Sequence, residues 1–184
     1  MHRVAGKGGD FMERSVRQCI GIFLTSVAFG LLLRCAHQLW PESILAVLAP
    51  RNTSVWELSK IGLWPPLFAA LPHHVYRGQK GSLCAYLMVP AAMPVVLLFV
   101  LWFLRMVCGI CSGLVDMTLW VCFLAVGDCM ALSVRKTAFM RQALPMVTAI
   151  VLVWACAYVL FSVRVPNLPI FTESFPYASA AIAW

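Results

Sequence analysis

The chain has 184 residues, of which 62% are hydrophobic and 11% charged, and its mean hydropathy is +0.87. Too few polar side chains remain to cover a water-soluble surface, so the composition excludes a soluble globular domain. The formal net charge of +7 is accounted for by membrane topology and contact with anionic lipid, which leaves no call for a nucleic-acid partner.

Crossing hydrocarbon takes roughly 20 apolar residues as helix, and five stretches meet that requirement, near 17–40, 54–76, 82–106, 113–134 and 143–163. Helix is the expected form because backbone amides in lipid must be satisfied within the segment. The sequence therefore predicts an all-α integral membrane protein with five transmembrane helices, a basic arm over 1–16, a transmembrane domain over 17–163 and a tail over 164–184. The first segment is longer than a signal-peptide core, and no small-x-small site precedes Trp40-Pro41, so it is expected to stay as an anchor. The second carries Glu57 and Lys60 near its start and Pro65-Pro66 in its middle, which predicts a bend near Leu63. Pro90 and Pro94 predict a bend in the third as well. No internal repeat or low-complexity tract interrupts this pattern.

Basic residues set the orientation. Arg3, Lys7, Arg14, Arg17, Arg77, Lys80, Arg135, Lys136 and Arg141 fall on one side, whereas the opposite loops hold Arg51, Arg105 and Arg164. Arg34 and Lys60 lie within segments. The expected topology is N-terminus in the cytoplasm and C-terminus outside, in a cell membrane of bacterial cytoplasmic type.

Six of the eight cysteines (Cys19, Cys35, Cys84, Cys122, Cys129, Cys156) are scattered singly through spanning segments, where cysteine acts as a small hydrophobe. Cys108 and Cys111 differ, because they flank the outward turn between segments three and four, where a disulfide can close. A zinc site would need two further ligands on that face, and His73 and His74 sit towards the cytoplasmic end, so no metal and no cofactor is expected.

Ionisable groups inside the bilayer are costly and mark candidate sites. Arg34 and His37 end segment one, Asn52, Glu57 and Lys60 open segment two, Asp116 opens segment four and Glu173 stands in the tail, so all converge at the outer leaflet; Asp128 lies deeper. Glu57 and Lys60 are three apart, hence on one helix face, and Arg34 and His37 repeat that spacing. An Arg34–Glu57 pair would neutralise both and leave Lys60 or His37 facing a cavity. The sharper reading is a pocket for an anionic or zwitterionic group, lined also by Trp56. Against it stands ordinary structure. Ser54-Val-Trp-Glu57 fits a capping box, Arg34 and Lys60 are within snorkelling reach, and Trp40, Trp56 and Trp64 suit an aromatic belt.

The stretch Ala49-Pro-Arg-Asn-Thr-Ser-Val-Trp-Glu-Leu-Ser-Lys60, followed by Trp64-Pro65, resembles an uncharacterised family of small bacterial polytopic membrane proteins. Its signature there reads approximately Pro-Val-Asn-Glu-Ser-x-Trp-Glu-His-x-Lys. The segment from Pro166 to Glu173 resembles the family's terminal Pro-x-x-Pro-Leu-Phe-x-Asp-Pro. Asn52, Ser54, Trp56, Glu57 and Lys60 match, whereas Thr53 replaces an acid, Leu58 and Arg34 replace histidines, and Glu173 replaces an aspartate. The resemblance implies the outer-leaflet site and names no reaction.

Three functional classes follow. A binding or transport component for a small charged ligand would use the broken second segment; no GxxxxGK[ST] motif supplies ATP hydrolysis. An intramembrane enzyme on lipid or isoprenoid headgroups would use Glu57 or Asp116 as base and Arg34 or Lys60 to hold phosphate. An accessory subunit of a membrane complex would pack through Gly109, Ser112, Gly113 and Ala125.

Overall fold

The computed structural model describes residues 6–39, 45–50, 52–75, 80–166, 168, 170 and 171. Among them every regular element is helical: α1 (Gly6–Leu39), α2 (Leu45–Leu48), α3 (Val55–Ser59), a 3-10 turn (Lys60–Gly62), α4 (Trp64–Val75), α5 (Lys80–Met106), α6 (Gly113–Val134) and α7 (Ala138–Val163). Four of these, α1, α5, α6 and α7, are long and apolar enough to cross a membrane. α1 starts at Gly6, so residues 6–16 of the basic arm continue the first helix; an exposed Glu13–Arg17 pair at 2.6 Å supports that extension.

The stretch 54–76 is not one helix. Ser54 caps α3, its Oγ accepting from the Glu57 amide at 3.3 Å. Only half of the capping box forms, because the Ser54 amide donates instead to Asn52 Oδ1 at 3.1 Å and the Glu57 carboxylate turns to Lys60. Backbone closure from Leu63 N to Lys60 O at 3.0 Å tightens the chain into the 3-10 turn. Pro65 and Pro66 then fall in the first turn of α4, where amide donors have no partner within the helix and proline is tolerated.

Three consecutive residues of this turn are tied to three different helices. Lys60 reaches Ser162 on α7 at 2.8 Å, the Ile61 carbonyl accepts from Trp120 Nε1 on α6 at 2.8 Å, and Gly62 lies against α5. A Cβ at Gly62 would stand 2.8 Å from Leu97 Cδ1 and 3.3 Å from the Met93 backbone, so a larger residue here would have to push the leucine aside or lift the turn from α5. The Trp120 indole, itself fully buried, runs over Gly30 of α1, where a Cβ would collide with the ring.

α5 is the central element, packing against α3, α4, α6 and α7, while α1 lies against α4 and α6. Leu97, Leu101, Tyr86, Trp120 and Leu124 fill the main core. A second cluster is aromatic, with Trp56, Trp64, Tyr158 and Phe171. Outward-facing apolar residues such as Leu114, Phe99, Val153 and Leu160 remain exposed, as expected where lipid is the solvent.

At the far end of α5 the chain turns through Cys108 to Ser112. Ile110 N bonds Leu104 O at 3.0 Å, and Gly109 takes φ 66°, a left-handed conformation that glycine adopts without strain. Cys108 and Cys111 are exposed free thiols on this turn.

Candidate functional site

Two buried ion pairs occupy the end of the molecule that carries the α5–α6 turn. In the first, Lys60 Nζ donates to Glu57 Oε2 at 2.7 Å and to Ser162 Oγ at 2.8 Å. Lys60 is 0% exposed and Glu57 5%. Their three-residue spacing puts both on one face of α3 and its continuing turn, and that face is pressed against α7. Ser162 in turn donates to the Tyr158 carbonyl at 2.7 Å, while the Tyr158 hydroxyl and Ser59 Oγ share a hydrogen bond of 2.7 Å. Two sets of polar contacts, Glu57–Lys60–Ser162 and Ser59–Tyr158, therefore join α3 and its continuing turn to α7.

In the second pair, Arg105 of α5 donates to Asp116 Oδ2 of α6 at 2.9 Å and to the Thr53 carbonyl. Arg105 is 4% exposed and Asp116 6%. The guanidinium fork thus joins α5, α6 and the loop before α3, a geometry that a lysine's single ammonium does not reproduce.

Trp56 lies at the centre of an aromatic cage formed by Tyr158 and Phe171, both with ring centroids at 4.9 Å, and by Phe161 at 5.3 Å and Trp154 at 6.4 Å. Its amide also donates to the Ile170 carbonyl at 3.2 Å, which fixes the chain after α7 against α3. The indole nitrogens of Trp56 and Trp64 are buried donors with no hydrogen-bond partner among the described residues.

The predicted site residues distribute as follows. Glu57, Lys60, Trp56 and Asp116 come together at this end. Asn52 is there too, but its Oδ1 shapes the loop before α3 by accepting from Ser54 N. Arg34 does not pair with Glu57. Its guanidinium lies instead by Gly113, 3.7 Å from where a Cβ would stand, and close enough to act electrostatically on Asp116. The reason is local, since Lys60, one helical turn from Glu57, reaches the carboxylate first. His37 belongs to α1 but its side chain lies outside the described residues, as does all of Glu173. Among the described residues no group of three His, Cys, Asp or Glu is placed to hold a metal ion.

Arg105, Ser162, Tyr158 and Trp120 are the partners that spacing alone did not point to. Arg105 reads as a loop cation by its place near the helix end. The signal for its role is that it stands three residues before Cys108 and Asp116 five residues after Cys111, so a tight helix hairpin brings the two helix ends that carry them together. Tyr158 and Ser162 are four apart in the otherwise apolar second half of α7, which puts two polar groups on one face.

Around the site, Arg34, Lys60 and Arg105 contribute three cations and Glu57 and Asp116 two carboxylates among the described residues. No curated protein and no solved structure matches the chain. A family model does, over residues 14–177, and the chain belongs to that family, the family of unknown function DUF6512.

Proposed function

We propose that the chain is a five-span protein of the cell membrane, N-terminus cytoplasmic and C-terminus outside, acting as a binding or transport component for a small anionic or zwitterionic ligand. The asymmetry of basic residues supports the orientation. Residues 55–75, taken through α3, the 3-10 turn and α4, supply about 30 Å of rise, enough for a broken second span. Pro90 and Pro94 inside α5 support a bend in the third span. On this orientation the two ion pairs lie in the outer leaflet.

The observation that carries the reading is the fully buried Lys60 ammonium on the broken span. A buried ion pair is poor evidence of a stability role, since well-packed hydrophobic residues in its place are often neutral or stabilising. Ionisable groups kept at membrane depth are functional candidates by default, and discontinuous spans are where transporters place their substrate sites. The indole donors of Trp56 and Trp64, without a hydrogen-bond partner among the described residues, fit an acceptor-rich, negatively charged group.

The second reading, an accessory subunit, is favoured by the fact that Glu57, Lys60, Arg105 and Asp116 already satisfy one another. The intramembrane-enzyme reading is weaker, because both candidate bases are engaged in ion pairs.

A thermal-shift screen of detergent-purified protein against phospholipid headgroups, isoprenoid phosphates, amino acids and vitamins decides between them. A ligand shift that disappears in both Glu57→Gln and Lys60→Ala supports binding. No shift from any compound, together with recovery of a stable partner complex from membranes, sinks it in favour of the subunit.

A further inference from the structure

A groove of about 280 Å³ lies between α5 and α6, walled by apolar residues that include Met88, Val89, Val126 and Met130 and closed at one end by Val134 and Met140. Its volume is near the lower limit for small-molecule sites, about 300 Å³, and its walls offer no polar partner. Val126 and Met130 are exposed while Val89 and Ala131 are buried, so the groove has a floor and opens outward between the helices. Four of its residues are methionines (Met88, Met93, Met130, Met140), whose unbranched side chains adapt to a flexible apolar occupant.

The closed end carries a different chemistry. Val134 is followed directly by Arg135 and Lys136, and Met140 by Arg141, while no acidic residue occurs between Asp128 and Glu173. Arg135 also donates to Ser15 of α1, which holds the turn against the first helix. An apolar trough thus ends by the α6–α7 turn with Arg135 and Lys136 and by Arg141 in the first turn of α7, which suits a molecule with an apolar tail and an anionic head.

We propose that this groove binds one acyl chain of an anionic glycerophospholipid, with the phosphate drawn to the turn of Arg135, Lys136 and Arg141. The site is separate from the ion pairs of the opposite end, and it stands whether or not those bind a ligand. It differs from the general lipid coat in demanding a negative headgroup at one defined position.

The test uses the whole protein in nanodiscs of equal phosphatidylglycerol and phosphatidylcholine with matched chains, followed by detergent release and native mass spectrometry of retained lipid. The wild type is expected to retain one phosphatidylglycerol in preference to phosphatidylcholine. The Arg135→Gln/Lys136→Gln/Arg141→Gln variant is expected to lose that preference, by about fivefold per charge removed. Met130→Trp, at a position exposed enough to leave packing intact, fills the groove and is expected to release the retained lipid while helical circular dichroism is unchanged. Equal retention of the two lipids by the wild type overturns the proposal, as does an undiminished preference in the triple variant. If the triple variant does not fold, Met130→Trp decides, since full retention with the groove filled overturns it equally.

Discussion

Trp120 of α6 donates its indole N–H to the carbonyl of Ile61 in the 3-10 turn at 2.8 Å. That carbonyl is released from helical bonding where α3 gives way to α4, and the tryptophan satisfies it at a depth without water. Trp120→Phe should keep most of the apolar contact but leave the carbonyl without this donor, lowering stability by about 1–3 kcal/mol in a thermal or denaturant unfolding assay in detergent. An unchanged midpoint would mean that the turn finds another donor.

Gly30 and Trp120 form a coupled pair, because a Cβ at position 30 would meet the indole ring, with Cζ2 at 2.8 Å. Gly30→Ala should cost about 1–3 kcal/mol by overpacking. In a Trp120→Phe background the smaller ring makes room, so the double variant should be less destabilised than the sum of the singles. Additive losses in that double-mutant cycle would show that Gly30 matters for some reason other than the indole.

The Glu57–Lys60 pair should respond asymmetrically. Lys60→Ala or Glu57→Gln alone should destabilise by about 3–5 kcal/mol, as expected when one member of a buried pair is left behind. Glu57→Gln combined with Lys60→Met removes both charges and should recover much of the loss. Equal damage from the single and double variants, read by melting temperature, would refute the charge-pair account of this site.

Arg105 contacts both Asp116 and the Thr53 carbonyl. Arg105→Lys keeps the charge but loses the fork, so it should still lower stability, by about 1–3 kcal/mol, through whichever partner goes unmet. Wild-type stability in that variant would assign the role to charge alone.

Cys108 and Cys111 are exposed thiols on the turn between α5 and α6. With the C-terminus outside, a membrane-impermeant maleimide should label them in intact cells, and Cys108→Ser/Cys111→Ser should abolish that rapid labelling. Labelling of these two only after permeabilisation would reverse the topology.

Helical class and the apolar character of α1, α5, α6 and α7 are readable from the sequence because length and hydropathy are local properties, summed residue by residue. The shape of 54–76 is less so. The same string reads as one kinked helix or as α3, turn and α4, and the choice rests on Ser162, Trp120 and Leu97, none of them near in sequence. Level along the bundle, too, is legible: Glu57, Lys60 and Asp116 sit at one end of it. Partner choice is not, because several groups share that level and rotation about each helix axis decides which of them meet. For that reason Arg34, read as the partner of Glu57, faces the start of α6, while Arg105, read as a loop cation, is buried against Asp116.

The 3-10 turn has a mechanical consequence. Because Lys60, Ile61 and Gly62 are fastened in succession to α7, α6 and α5, sliding any one of those helices past another must pull on a neighbouring peptide of the same short turn. A shift of α6 is felt one residue away from the Lys60 ammonium, and a change at that ammonium is felt one residue away from Trp120. A displacement of any of these helices and a change in the pairing of Lys60 therefore meet at a single point of the backbone.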